Sequence, residues 1–475
     1  MDLHISLEGR GDLSARIYRQ IMEAVLDGRL RPGERLPPTR ELAPRLEVSR
    51  NTVAAAYDRL TAEGFLEGRS GAGTFVRAES RRPGRRRPSR GGVRPGRRWE
   101  TPMAPPNDRA EFTFDFRLGM PDVRLFPLET WRRLVSRELR PASLRSPGYG
   151  EPAGHPALRE AIARYAGVSR AVRAEADDVI VTQGAQQALD LIARVLIEPG
   201  DCVAVEEPGY PPARLLFQSL GARVVGVPVD EEGLDVSAIP RAARLVHVTP
   251  SHQFPLGTPM SLARRTALLA WAERSDRAVV IEDDYDSEFR FSDRPLEPLQ
   301  SLDRTGRVIY VGSFSKTLLP LLRVGFMVAP ASLQGALRTA KQLSDWHGDL
   351  TTQAALARFI DEGLLARHIR RATREYAVRH ERILAALHGD LAEWLALVPS
   401  AAGLHLCTRL VPGRNVDVQR VVASARGADV AVESLAAYCA AEPAQHGLVI
   451  GYGAIPAERV DEGLRRLATA LRAAT

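Results

Sequence analysis

Of the 65 basic residues in this chain of 475, two are lysines. One of them, Lys316, ends the run Ser313-Phe314-Ser315-Lys316, which follows an apolar stretch at 308–311. A primary amine at the end of a buried strand, flanked by small hydroxyl residues, is equipped for carbonyl chemistry. It can form a Schiff base with an aldehyde, while the hydroxyls hold a phosphate on the same molecule. Arg323, seven residues on, supplies a counter-charge for that phosphate.

Further groups with chemistry also sit just after apolar runs. Thr182-Gln183-Gly184-Ala185-Gln186-Gln187 places a glycine at a strand-to-helix turn, leaving backbone amides free for a phosphate. In Glu207-Pro208-Gly209-Tyr210 the aromatic ring can cover a flat heterocycle, or it can fill a core behind a turn. Glu282-Asp283-Asp284-Tyr285-Asp286 sets carboxylates against an apolar strand. One of them can pair with a pyridinium nitrogen, so that the ring draws electrons, and Tyr285 can donate to a phenolic oxygen. The same stretch also reads as a solvated acidic loop or a metal site. No histidine cluster accompanies it, and Cys202, Cys407 and Cys439 lack CxxC spacing, so no metal is expected. In this order the groups point to pyridoxal 5'-phosphate (PLP).

The elements that must position these groups follow from patterning. From about Phe112 onward, apolar runs alternate with helical periodicity, which predicts an α/β domain with a mostly parallel sheet. Strands are expected at 179–181, 202–205, 245–248, 278–281 and 308–311, with the site at their carboxyl ends.

The preceding stretch is a different module. Residues 14–28 read as a helix from Ser14 to Gly28, with Ile17, Ile21, Ala24 and Val25 on one stripe. A short helix from Thr39 to Leu46 and another, capped by Ser49, through Ala62 come next. Residues 65–69 and 74–77 make a hairpin around Ser70-Gly71-Ala72-Gly73. Helix, helix-turn-helix and hairpin together predict a winged helix-turn-helix. Ser49-Arg50-Asn51-Thr52 would then face base edges. Residues 1–110 carry 22 arginines against 14 carboxylates, a surplus of eight, whereas the whole chain is +7. The polyanion partner therefore belongs to the first part alone. Nine arginines between Arg81 and Arg98, interleaved with Pro and Gly, form a linker that is either a solvated tether or an arm adding phosphate contacts. No stretch is apolar enough for a membrane span, no signal peptide opens the chain, and the few scattered cysteines fit a reducing cytoplasm. Lys341, His252 and the cysteines read as surface, loop and core residues.

The first stretch resembles the GntR family through Leu30-Arg31-Pro32-Gly33-Glu34-Arg35-Leu36-Pro37, Thr39-Arg40-Glu41-Leu42-Ala43, Val48-Ser49-Arg50-Asn51-Thr52-Val53 and Gly71-Ala72-Gly73-Thr74-Phe75-Val76. That resemblance implies that Arg40, Arg50, Thr52 and Gly73 face double-stranded operator DNA, with Arg35 near phosphate. Residues 115–475 resemble a fold-type I aminotransferase, and the whole chain is similar to the MocR/GabR subfamily of GntR regulators. The carrying stretches are Tyr149-Gly150-Glu151-Pro152-Ala153-Gly154, Thr182 to Gln187, Thr249-Pro250-Ser251-His252-Gln253-Phe254-Pro255, Glu282 to Phe289 and Ser313-Phe314-Ser315-Lys316-Thr317. The domains implied are a head at 1–78, a linker at 79–114 and a PLP-binding body at 115–475. Carried over by position, Lys316 is the Schiff-base lysine, Asp283 holds the pyridine nitrogen and Tyr285 the phenolic oxygen. Ala185, Gln186, Ser313 and Arg323 hold phosphate, Tyr210 stacks on the ring, and Tyr149 reaches the phosphate of a partner subunit in a head-to-tail homodimer.

Two departures stand out. Where ordinary aminotransferases carry Asn-Pro-x-Gly this chain has Phe254-Pro255-Leu256-Gly257, and the stretch Leu448-Val449-Ile450-Gly451-Tyr452 lacks their carboxylate-binding arginine. Arg214 and Arg409 are possible substitutes. The resemblance therefore implies a regulator that senses PLP, a small amine or an amino acid. The alternatives are an active aminotransferase with an accessory DNA-binding head, or a DNA-binding protein whose body has lost its cofactor.

Overall fold

The computed structural model describes residues 12–77, 110–141, 148–291, 297–400, 402–414, 416–440 and 445–474, with 5–7, 96 and 99. The arginine-rich linker lies almost entirely outside them. The chain divides into two compact units, Met1–Glu100 and Thr101–Thr475.

In the first unit, α1 (Leu13–Leu26) is capped by Asp12, whose carboxylate accepts from Ser14 N at 2.9 Å. Ser14, the expected cap, is thus inside the helix, because Asp12 provides an acceptor two residues earlier. Ile17, Ile21, Ala24 and Val25 are buried against α2 (Thr39–Arg45) and α3 (Arg50–Ala62) in one core with Leu42, Val53 and Leu60. Burying each such aliphatic side chain stabilises by about 1.5–3 kcal/mol. Ser49 Oγ caps α3 by accepting from Thr52 N at 3.1 Å. Strands β1 (Leu66–Arg69) and β2 (Gly73–Val76) pair antiparallel to form the wing. Residues 33–36 extend it along β2, with Gly33 N donating to Val76 O and Leu36 N to Thr74 O.

The second unit is built on an eight-stranded sheet ordered β4-β11-β10-β9-β8-β5-β6-β7. A short β3 (Phe114–Asp115) leads into α4 (Leu128–Glu138) and α5 (Pro156–Arg170). Then come β4 (Val179–Thr182), α6 (Ala185–Leu196), β5 (Cys202–Glu207), α7 (Pro211–Ser219), β6 (Arg223–Asp230) and β7 (Gly233–Leu234). The sheet is completed by β8 (Ala243–Val248), α8 (Leu262–Glu273), β9 (Val279–Asp284), α9 (Leu299–Leu302), β10 (Val308–Ser313) and β11 (Gly325–Val328). The five expected strands are all present, and β5, β6, β8, β9 and β10 run parallel. The long exception is β11, antiparallel to both its neighbours, β10 and β4.

After α10 (Ala331–Ser344), α11 (Leu350–Asp361) and the long α12 (Leu364–His388), the chain builds a second sheet. It is made from β12 (Leu395–Leu397), β13 (His405–Leu410), β15 (Glu433–Ser434) and β16 (Gly447–Gly451), in the order β12-β13-β16-β15. α13 (Val418–Gly427), β14 (Val430–Ala431) and α14 (Ala457–Ala473) complete the unit, and β14 pairs parallel with β3. This sheet shares an apolar core with the apolar faces of α12, α13 and α14, including Tyr376, Ile383, Val421, Leu464 and Leu467. Among the described residues no helix is long and apolar enough to cross a membrane.

Candidate functional site

Side-chain alternation along the parallel strands decides which residues face the site. Ile281 of β9 packs with Ile180, Leu245, Ile309 and α6 on one side of the sheet, whereas Val280 packs with α8 on the other. Asp283 follows the first pattern and Glu282 and Asp284 the second. All three lie within β9 and are buried, so the acidic run is not a solvated loop.

The two faces have different chemistry. Asp284 meets Arg170, the last residue of α5, at 2.6 Å in a pair whose side chains are 3–4 % exposed. It also accepts from Tyr310 Oη at 2.6 Å. Burial alone would raise its pKa, but Arg170 and hydrogen bonds from Ser287 and Tyr310 hold it below the usual carboxylate range. Glu282, buried near Arg265 and accepting from Leu299 N and Gln300 N, is pushed up to about 7 by burial. On the site face, Asp283 Oδ2 lies 3.3 Å from His247 Nε2, while its buried Oδ1 has no hydrogen-bond partner among the described residues.

A cavity of about 200 Å³ opens at the carboxyl ends of the strands, lined by Ala185, Gln186, Tyr210, Asp283, Tyr285, Ser313, Lys316 and Arg323. The residues expected to form the site are thereby brought together, with one exception. Tyr149 is 82 % exposed, stacked on Trp346 at 4.9 Å, and does not line this cavity. Thr249, Phe254, Ser315 and Pro320 line it too and were not singled out as site residues. Their signal was placement, since Thr249 and Phe254 follow β8 and Ser315 adjoins Lys316.

Lys316 Nζ donates to Gly119 O at 2.7 Å. Burial lowers its pKa below the ordinary lysine value, with Asp286 and Asp283 pulling the other way. A larger neutral fraction makes the amine a better nucleophile. Gly184 begins α6 at φ +81°, a conformation that favours glycine, and Arg323 lies against it with Nη2 donating to Gln183 O at 2.6 Å. A Cβ on Gly184 would lie 3.0 Å from that guanidinium. Helix amides, an arginine and the Ser313 hydroxyl thus converge where an anion is best held. Tyr210, its pKa pushed up to about 12 by burial, stands edge-on to Phe254 at 5.4 Å.

These residues fit PLP on grounds independent of any likeness. The orphaned Asp283 Oδ1 needs a donor such as a ring N–H, the half-buried amine suits an aldehyde, and the Gly184–Arg323 cradle suits a phosphate. The substitutes considered for a carboxylate ligand are elsewhere. Arg409 is exposed on β13, and neither it nor Arg214 lines the cavity. Val449 is buried among Leu256, Val398, Cys407 and Leu435.

Two expectations are corrected. Lys341 is not a surface residue. It is fully buried on α10 and paired with Asp345, which also accepts from Gln183 and Gln187 beside the start of α6. His252 lies in a loop, as expected, but is buried there in contact with Asp286 and Tyr285. Cys202 and Cys407 are core residues, but Cys439 is half-buried.

On the head, Arg35, Arg40 and Arg50 are exposed, and Arg40 and Arg50 make no side-chain ion pair among the described residues. Thr52 is half-buried, its hydroxyl 2.8 Å from Ser49 Oγ. Gly73, at φ +114°, lies beneath the Arg35 guanidinium at the wing, where a Cβ would come within 2.9 Å of Nε.

Comparison with known proteins agrees with both halves. Residues 13–76 match the family of bacterial regulatory proteins, gntR family, and residues 120–440 match aminotransferase class I and II. The "Probable rhizopine catabolism regulatory protein MocR" of Rhizobium meliloti is 40% identical over 470 residues, covering 96% of this chain and 93% of its own. The "HTH-type pyridoxine biosynthesis transcriptional regulator PdxR" of Corynebacterium glutamicum is 34% identical, covering 95% of each. Among solved structures, the kynurenine aminotransferase of Pyrococcus horikoshii, in complex with PMP, is similar with a TM-score of 0.70 and 28% identity, over 77% of this chain and 92% of its own. The chain belongs to the MocR/GabR subfamily of GntR-type transcriptional regulators, in which a DNA-binding winged helix-turn-helix is joined to a PLP-dependent body of aminotransferase fold.

Proposed function

We propose that the chain regulates transcription in the cytoplasm by reading operator DNA through residues 1–78, and that the body from 115 onward responds to PLP together with a small amine or amino acid. The observation that carries this is the meeting, in one cavity, of a half-buried amine on Lys316 and a carboxylate oxygen on Asp283 without a partner among the described residues. Bound PLP supplies an aldehyde that an incoming amine can take over from a lysine, and a ring that draws electrons.

The protein's own groups have separable tasks. Lys316 would hold the cofactor through its amine. Asp283, steadied by His247, would hold the ring nitrogen and favour its protonated form. Tyr285 donates to the phenolic oxygen, and Tyr210 covers the ring. Ala185, Gln186, Ser313 and Arg323 hold the phosphate. On the head, Arg40, Arg50, Thr52 and Gly73 face the DNA, with Arg35 near phosphate. Tyr149, exposed on its own chain, offers its ring to a second copy in a head-to-tail dimer. Occupancy at Lys316 must favour one of two body arrangements that present the heads differently, because a ligand shifts an equilibrium only by its differential affinity.

The test is a visible absorbance titration of the PLP-loaded protein against a panel of amines and amino acids. A spectral change without release of keto acid supports a sensor. Release of keto acid supports the second reading, a working aminotransferase, which the complete set of Lys316, Asp283 and Tyr285 favours. A spectrum that no amine moves would overturn the amine-sensing part and leave PLP as the signal.

A further inference from the structure

Asp286 and His252 do not line the cavity, yet they reach it through Tyr285. Their side chains are both 1% exposed. His252 Nδ1 lies 2.9 Å from Asp286 Oδ1, 3.1 Å from Oδ2 and 3.0 Å from the Tyr285 hydroxyl. The pair is anchored on its far side, where Asp286 Oδ2 accepts from Leu404 N at 3.2 Å and His252 Nε2 lies 3.1 Å from Ser400 Oγ. His252, Asp286 and His405 present metal-ligating atoms within 4.8 Å of one another. Gly403 fills the space beside them, however: a Cβ there would come within 2.1 Å of His252 Cε1 and 2.5 Å of Asp286 Oδ2. The cluster is closed by hydrogen bonds.

Proton accounting gives this arrangement a direction. An ionised Asp286 has no proton to donate, so the proton shared with His252 belongs to Nδ1. A nitrogen carrying its proton cannot accept from Tyr285. The tyrosine oxygen is therefore the acceptor on that side, and its own proton is left to point into the cavity. That proton is firmly held, because burial raises the Tyr285 hydroxyl well above the ordinary tyrosine value, with Asp286, Asp283, Glu206 and Asp284 adding to the effect.

We infer that His252 and Asp286 form a positioning pair that commits the Tyr285 hydroxyl to donate toward the phenolic oxygen of the bound cofactor. The inference rests on the cavity being the PLP site. It also assigns a task beside a position where this chain has Phe254 and ordinary aminotransferases have a polar asparagine. The other titratable groups around the pair include His405 of β13, whose ring is 4.8 Å from His252, His380 of α12, Glu206 of β5, Asp283 and Asp284 of β9, Arg290, Tyr452 and Lys316. Burial lowers the pKa of both His405 and His380.

The readout is the pH midpoint of the visible band of the PLP-loaded protein. A donor on the phenolic oxygen weakens that oxygen's hold on the proton of the neighbouring nitrogen, so losing the donor raises the midpoint. Tyr285→Phe sets the reference, an expected rise of about one pH unit for one hydrogen bond. Asp286→Asn should raise it similarly, because an amide donor at 286 forces the imidazole proton to Nε2 and turns Nδ1 into an acceptor for Tyr285. His252→Phe should do the same in the native background and add nothing to Tyr285→Phe. His252→Asn, which keeps a donor near Nδ1, should restore most of the native value, and with His252→Phe it decides the matter if Asp286→Asn does not fold. The inference is overturned if Tyr285→Phe raises the midpoint and the His252 and Asp286 variants do not, or if the shifts add. It is also overturned if Tyr285→Phe itself shifts nothing. A native protein that develops no visible band with PLP would instead refute the cofactor site on which the inference rests.

Discussion

Replacing Arg170 by methionine should destabilise the body strongly, and more so at high pH. Asp284 is held by Arg170 Nε at 2.7 Å and Nη2 at 2.6 Å and by the Tyr310 hydroxyl, with both charged side chains nearly out of reach of water. Methionine fills much of the volume but leaves a buried carboxylate without its counter-charge, which costs about 3–5 kcal/mol. The unit from Thr101 to Thr475 spans about 375 residues, so at about 2.1 cal/mol/K per residue that loss lowers Tm by roughly 4–6 °C. In the native protein the depressed pKa of Asp284 stabilises above its unfolded value of about 4 and is lost as pH falls through the folded value. In Arg170→Met burial takes over and raises the folded value, so the penalty grows as pH rises from about 4. Glu288, already pushed up to about 7 by burial and also near Arg170, moves the same way. Thermal melts at pH 5 and pH 8 should show the gap between variant and native widening, and Asp284→Asn in the Arg170→Met background should recover more than half of it. A loss below about 1 °C, or a gap that narrows with rising pH, would refute the reasoning.

Other perturbations isolate other parts. Gly184→Ala strains a φ of +81° and crowds the Arg323 guanidinium, so PLP affinity by fluorescence titration should fall about tenfold or more, with the head's operator affinity in the apo state unchanged. Arg40→Ala and Arg50→Ala should each cost about 1–3 kcal/mol of operator affinity if they reach bases; a uniform loss over all sequences, with the salt slope reduced by about one, would mark a phosphate contact. Neutralising the nine arginines between Arg81 and Arg98 should flatten the salt dependence of DNA affinity, and an unchanged slope would mark a solvated tether.

The site was legible where chemistry and patterning coincide along the chain. Lys316 after an apolar run, Gly184 at a strand-to-helix turn and carboxylates closing a strand are local signals, and one sheet collects them because parallel strands end on the same side. What stayed hidden depends on partners far apart in sequence. Nothing near Asp284 announces Arg170, 114 residues earlier. The burial of the loop residue His252 stayed hidden because its partner Ser400 lies 148 residues on, and Lys341 reads as surface because its burial depends on packing at the start of α6. β11 passed unnoticed since a short apolar stretch carries no sign of direction. Its insertion between β4 and β10 requires Gly325, where a Cβ would meet the Gly184 backbone at 2.9 Å.

The central claim is that the state of Lys316 is coupled to DNA binding. It is tested most directly by measuring the affinity of the full-length protein and of Lys316→Ala for a duplex selected from a random pool, each with and without PLP and with PLP plus the amine that moves the absorbance spectrum. The native protein should change affinity by about 5–150-fold between ligand states, while Lys316→Ala should bind the duplex with one affinity throughout. Equal affinities for the native protein in every state, or an undiminished response in Lys316→Ala, would contradict the claim.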